Sequence, residues 1–217
     1  MMNTKKYLLF LLVSFMFCSY SFSQNWELKL EKNGVTVYTR PFAGSNVREF
    51  RGEITVKSNM GSILALIDSV SEYPKWMYNV TYASRPKKIS RDMGYTYTII
   101  KSTWPVSDRD ICTYYTVKQD TATKIVTIAL TGIKDYMPLK DGTIRVPAIT
   151  GFWQLIPMAK GVTKVIYQVH CESGGYVPAS IVNAYITDTP YYNLYNLKNI
   201  VESPLYPKKV IPNVKEM

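Results

Sequence analysis

The spacing of hydrophobic positions changes several times along the chain. Residues 34–40 (GVTVYTR) and 48–57 (REFRGEITVK) alternate apolar with polar side chains and are rich in β-branched residues, which predicts half-buried strands. Between 59 and 70 the period becomes helical. Met60, Ile63, Leu64 and Ile67 share one face behind Ser58 or Asn59 as a cap, and Pro74 limits the extension of this short amphipathic helix. Strand-like runs return at 80–84, 95–101, 111–118, 124–131, 143–148, 151–156 and 162–172. Turn-forming clusters separate them, among them Asp141-Gly142 and Lys160-Gly161.

The last third breaks this rhythm. Gly174-Gly175 ends the strands, and Pro178 opens a helical stretch that runs to about Glu202. Val177, Ile181, Ala184, Tyr185 and Asp188 fall on one face of it. Pro190 suits the first turn of a second helical piece, so a kink or short break is expected there. Pro204, Pro207 and Pro212 predict a mobile tail over 204–217. The plan is α+β: strands, a short helix, many strands, then a long final helix. That helix is the element large enough to cover the apolar face of the sheet.

The N-terminus reads as an address label. Lys5 and Lys6 precede an apolar run from Tyr7 to Phe17 that Ser14 alone interrupts. At ~1.5 Å per residue this run is too short for a ~30 Å hydrocarbon core. Small residues follow at Ser21 and Ser23, the layout of a secretory signal over 1–23. The expectation is an exported protein, periplasmic or secreted, with a folded domain over 24–203. Cys18 follows bulky Phe17, which argues against lipidation.

Composition narrows the chemistry. At 47% hydrophobic and 13% aromatic residues the chain can build a core, which excludes global disorder. One histidine and three cysteines exclude most histidine-based metal sites, a structural zinc cluster and a disulfide-built miniprotein. Cys112 and Cys171 lie in apolar strand patterns and read as small buried side chains. His170 alternates with Gln168 and Glu172, on the polar outer side of its strand. The sequence contains no H-E-x-x-H, G-x-S-x-G, P-loop or G-x-G-x-x-G motif, so no metal and no cofactor is expected. Lys and Arg total 26 against 16 Asp and Glu, a formal charge of +10. Arg85, Lys87, Lys88 and Arg91 cluster, and Lys208-Lys209 lie in the tail. Export and the lack of any RNA or DNA motif argue against nucleic acid. A solvated face or attraction to anionic lipid headgroups accounts for the charge.

Several short motifs carry a resemblance. Trp104-Pro105-Val106-Ser107-Asp108-Arg109-Asp110 resembles the W-P-x-x-x-R-D segment of START domains, the lipid-transfer relatives of the steroidogenic acute regulatory protein. Tyr73-Pro74-Lys75-Trp76-Met77-Tyr78-Asn79-Val80 is similar to the family's W-x-x-N-V. Gly142-Thr143-Ile144-Arg145 matches a strand opening, Trp153-Gln154-Leu155-Ile156-Pro157 matches W-x-L-x-P, and Gly174-Gly175-Tyr176-Val177-Pro178 matches the entry into the last helix. The motifs keep the family's order over about 26–202. The resemblance implies a helix-grip fold: a curved antiparallel sheet of about nine strands wrapped around a long C-terminal helix, enclosing a hydrophobic cavity. It implies one lipid or other hydrophobic small molecule, bound and exchanged through transient membrane contact without chemistry. One departure concerns sterol-carrying members, in which an acid precedes the tryptophan and pairs with an arginine. Here Lys75 and Tyr115 take those positions.

Strand alternation nominates inward-facing residues: Tyr95, Tyr97 and Ile99; Ile111, Thr113 and Tyr115; Val165, Tyr167, Val169 and Cys171. On the resemblance they become a cavity wall, with Ile181 and Tyr185 facing them from the final helix. Tyrosines suit such a wall, since each offers an apolar ring and a hydroxyl that needs a partner. Trp104 either dips into a membrane interface or packs on the final helix. Arg109 either pairs with an acid such as Glu53 or holds a ligand carboxylate or phosphate. Two other readings share the architecture. One is a cyclase or dehydratase that uses the cavity as a template, with Arg109, the tyrosines and His170 as its pointers. The other is a surface-binding module with a filled core.

Overall fold

The computed structural model describes residues 25–103, 105–212 and 214–216. The expected signal segment 1–23 and Trp104 lie outside them. Ten strands form one sheet: β1 (Glu27–Lys32), β2 (Val35–Phe42), β3 (Ser45–Val56), β4 (Val80–Lys88), β5 (Met93–Ile100), β6 (Asp108–Gln119), β7 (Val126–Gly132), β8 (Thr143–Arg145), β9 (Ala148–Ala159) and β10 (Val162–Glu172). Their spatial order is β1-β2-β3-β10-β9-β7-β6-β5-β4, antiparallel throughout, with short β8 lying parallel to β6. The nine strands read from alternation are present. β1 is an addition: ELKLEK alternates weakly and is exposed along most of its length. It pairs with β2 through Asn33-Gly34, both at positive φ (52° and 78°), the backbone that a tight hairpin of this kind requires.

Helix α1 (Met60–Asp68) begins at Asn59, whose side chain accepts a hydrogen bond from the Ser62 N–H. A 3-10 turn (Val70–Glu72) and the short α2 (Tyr73–Trp76) follow. The final helical stretch is broken, as Pro190 predicts. α3 (Ala179–Ala184) buries no residue, whereas α4 (Asp188–Val201) buries Tyr191, Leu194, Leu197 and Val201. α4 lies on β3, β2 and β10, while α1 touches α4 and β9 and α2 touches β4. The helices therefore divide the concave face of the sheet between them.

α4 is seated closely. A Cβ placed on Gly52 would lie 2.7 Å from Leu194 Cδ1 and 2.9 Å from the Pro190 Cβ, so glycine lets the helix approach the β3 backbone. Buried Asn193 accepts from the Tyr78 N–H at 2.7 Å, and Asn196 donates to the Trp76 carbonyl at 2.8 Å. These bonds join the final helix to the end of α2.

The tail is docked rather than free. The Glu216 carboxylate accepts from the Met60 and Gly61 N–H groups at 3.2 and 2.8 Å, at the N-terminus of α1. Lys209 bonds Asn59 and Ser62 through its backbone, and Lys215 bonds Gln119 through its own. Ile211 and Val214 pack on the core.

Candidate functional site

The concave face holds a cavity of about 110 Å³ between the α1–α2 segment and the middle of the sheet. Leu64, Ile67 and Asp68 of α1, Val70 of the 3-10 turn, and Tyr73 and Met77 form its roof. Its wall comprises Val80, Arg85, Thr96, Thr98, Ile100, Ile111, Thr113, Tyr115, Val117, Ile128, Leu130, Ile149, Trp153 and Tyr167. Trp153 and Tyr167 stack at 3.8 Å and 13°, and Trp76 meets Trp153 edge-on at 6.4 Å. The tryptophans of two separate sequence motifs thus touch beside the cavity. Burial raises the Tyr73 and Tyr167 hydroxyls far above the usual phenol range, so both stay protonated at neutral pH. Tyr73 donates to the Ile67 carbonyl at 2.7 Å.

Ile111, Thr113, Tyr115 and Tyr167 are where alternation predicts them. Val169 is buried in the main core without lining the cavity. Tyr95, Tyr97 and Ile99 require correction. The register sets Thr98 opposite Ile111 and Thr96 opposite Thr113, so the inward residues of β5 are Thr96, Thr98 and Ile100. Tyr97, Ile99 and Cys112 form a second small core on the other face, under Tyr95, Tyr136 and Met137. Tyr95 stacks on Tyr136 at 3.8 Å. Both faces of this part of the sheet are covered, so hydrophobicity alone does not tell them apart.

Ile181 and Tyr185 also move. They are 49% and 68% exposed and do not line the cavity. Arg109 is buried but lies away from it, donating to the carbonyls of Ser107, Ser173 (3.2 Å) and Gly174 (3.3 Å). Glu53 pairs instead with Arg51 and Lys164. The buried ion pair belongs to Asp110. Its Oδ2 accepts from Arg145 at 2.7 and 3.1 Å and from the Tyr97 hydroxyl at 2.9 Å, on the outer face. Lys75 points outward to Glu72.

His170 is on the outer side of β10, as read, but it is buried and stacks on Phe42 at 3.6 Å, with Nε2 3.1 Å from Glu172. Cys112 and Cys171 are both free thiols, Cys112 in the outer small core and Cys171 against the main one. Among the described residues no cluster of His, Cys, Asp and Glu could hold a metal ion.

Another cavity residue, Arg85, is not nominated from the sequence. The β4–β5 register slips between Ser84↔Tyr97 and Lys87↔Tyr95, leaving Arg85-Pro86 as a bulge. Arg85 continues the inward face of Ala83, which pairs with cavity-lining Thr98, and its Nη2 contacts the Asp68 carboxylate at 2.6 Å and the Asp68 carbonyl at 2.5 Å. The Arg85 guanidinium lies 5.6 Å from the centre of the Tyr115 ring. Gly94, opposite Tyr115, makes room for that ring, since a Cβ there would come within about 3.0 Å of the hydroxyl. A second, open hollow of about 540 Å³ adjoins this end. It shares Leu64, Asp68 and Val117 with the cavity and is edged by Lys88, Arg91 and the tail residues Ile211 and Val214.

The chain is similar to proteins of known sequence and structure. An uncharacterized protein of Pseudomonas aeruginosa is 33% identical over 180 residues, 83% of this chain and 88% of that protein. The crystal structure of a STAR-related lipid transfer protein from Xanthomonas axonopodis is 30% identical and covers 82% of this chain and 99% of its own, with a TM-score of 0.76. Human StAR-related lipid transfer protein 5 has the same fold at 20% identity and a TM-score of 0.73, over 91% of this chain and 94% of its own. No protein-family model matches the chain.

Proposed function

The chain belongs to the STAR-related lipid transfer family, and on that premise we propose that it binds one hydrophobic ligand in the cavity under α1 and α2, as a carrier that does no chemistry on it. The observation that carries this reading is a cavity under α1 and α2 with a largely aliphatic and aromatic wall. A chain that gives up ~300 Å² of apolar surface gains about 7 kcal/mol before ordering costs. The three threonines and the protonated tyrosines suit a binder, because they are neutral groups that orient without exchanging protons near pH 7.

At about 110 Å³ the cavity holds a group of roughly the size that a ~150 Å³ apolar cavity accepts, about one benzene ring. A longer chain extends into the adjoining hollow or lifts the α1–α2 roof. Exposed Tyr176, Ile181 and Tyr185, next to the Gly174-Gly175 corner, are apolar enough to rest on a membrane interface during exchange. Among the described residues no helix is long and apolar enough to cross a membrane. The basic n-region and short apolar run at the N-terminus support export to the periplasm or medium. Nucleic acid has no part in this reading.

Native mass spectrometry of the gently purified protein tests the proposal. A bound hydrophobic molecule, retained or added, is expected at one per chain. Repeated failure to find any, with lipid supplied in excess, refutes it. Transfer is a separate property, read by movement of a fluorescent ligand between two vesicle populations.

A further inference from the structure

We propose that the cavity selects a single-chain amphiphile with a carboxylate head, and that Arg85 and Tyr115 read that head. This rests on the cavity being a ligand site. Two buried donors at one end of it have no acceptor: Arg85 Nε and the Tyr115 hydroxyl form no hydrogen bond within the protein. Arg85 uses Nη2 on Asp68, so its Nε–H stays free. The guanidinium sits beside the Tyr115 ring, which brings the two donors into one neighbourhood. Burial raises the Tyr115 pKa, so the hydroxyl keeps the proton it would donate.

Charge and size set the class. Lys88 Nζ lies 3.9 Å from Asp68, so Arg85 and Lys88 against Asp68 leave one positive charge in excess, the complement of one carboxylate. Arginine with a phenol hydroxyl is a donor set that a carboxylate satisfies with both oxygens. This end adjoins the open hollow, where an ionised head keeps part of its water. The first part of the hydrocarbon then runs inward past Val117 and Ile128 to Trp153, which are successive neighbours in the sheet register, and the remainder of a long chain lifts the α1–α2 roof. A cavity of about 110 Å³ favours one chain over two.

The test uses the full chain and an intrinsically fluorescent 18-carbon polyene acid, with its methyl ester and its alcohol, titrated at pH 8. The acid is expected to bind roughly tenfold or more tighter than either neutral analogue. Tyr115→Phe and Arg85→Gln are each expected to reduce that preference to about threefold or less, read as the ratio of acid to ester affinity within each variant. Circular dichroism checks the fold, and Tyr115→Phe decides the matter if Arg85→Gln does not fold. Equal binding of acid and ester, an alcohol bound as tightly as the acid, or a preference that survives in the folded variants overturns the carboxylate assignment and leaves the cavity reading intact. Binding of none of the three overturns both.

Discussion

Filling the cavity from within separates a ligand site from a packing defect. Thr113 lies on β6 between Ile111 and Tyr115, is 7% exposed, and lines the cavity. Thr113→Phe projects a ring into it. For a fully enclosed void the cost is ~24 cal/mol per Å³, so filling a 110 Å³ cavity gains at most about 2.6 kcal/mol. A ring in place of the threonine recovers part of this, and overpacking strain takes back about 1–3 kcal/mol. The two nearly cancel, so stability in urea should stay within about 1 kcal/mol of the parent. Binding should not survive: a competitor covalently present in the cavity should weaken a fluorescent fatty ligand by about tenfold or more. Equilibrium urea denaturation and ligand titration on the same preparation supply both numbers. A folded Thr113→Phe protein that binds as tightly as the parent would show that the ligand sits elsewhere, and the carrier reading would lose its site.

Four further outcomes rest on the packing. Asp110→Ala removes the acceptor from buried Arg145 and Tyr97, and should cost about 3 kcal/mol in urea, the lower end for a broken buried pair. Arg145 keeps the carbonyls of Lys134, Met137 and Pro138, which limits the loss; a change below about 1 kcal/mol contradicts this account. Burial pushes the Asp110 carboxyl up, but the bonds from Arg145 and Tyr97 outweigh it and leave its pKa below the usual value. Its contribution is therefore full above about pH 4 and lost as pH falls through the lower, folded value, so Asp110→Asn should flatten the acid limb of the stability profile. Gly52→Ala forces a Cβ against Leu194 and Pro190 and should cost about 1–3 kcal/mol, whereas a neutral result would mean that α4 is not seated on β3. Glu216→Gln removes the charge at the start of α1 and should cost about 0.3–1 kcal/mol, with faster amide hydrogen exchange at Met60 and Gly61; unchanged exchange there argues against the docked tail.

The strands, the Asn59-capped helix and the break in the final helix were legible because each rests on local pattern. Alternation places Val35, Val37, Ile54 and Val56 in the core, and all four are there. Inward direction was legible on β6 and β10, where one face is plainly more apolar. On β5 it was not. Tyr95, Tyr97 and Ile99 are the more hydrophobic set, yet they face the outer core beneath Tyr136 and Met137 and leave Thr96 and Thr98 to the cavity. The segment that makes the outer core joins β7 to β9, and its pairing with β6 through β8 is a long-range fact that local periodicity does not encode. Arg85 was hidden for another reason. It lies on the inward side of its strand, two residues after Ala83, but a charge inside the basic run Arg85, Lys87, Lys88 and Arg91 reads as solvated.

The place of the cavity follows from how the helices share the sheet. α4 is long and lies flush on β2, β3 and β10, because Gly52 admits it to the backbone and Leu194 and Leu197 are fully buried beneath it. That half of the concave face has no room left for a ligand, and a space between sheet and final helix is not where the hollow lies. The β4–β7 half is covered by α1, a 3-10 turn and α2, which together form a short, broken element. A curved sheet presents a concave surface, and a short broken element touches its rim while missing its floor. The floor here is Thr96, Thr98, Thr113 and Ile128, and the gap above them is the cavity. The roof helix α1 is itself anchored by buried Met60, Ile63, Leu66 and Ile67, with polar caps at Asn59 and Glu216 and the backbone of the tail fixing its start, while α4 is anchored by Leu194 and Leu197. The cavity is therefore bounded on both sides by elements with buried anchors, and its position is set by where α1, the 3-10 turn and α2 meet the β4–β7 half of the sheet.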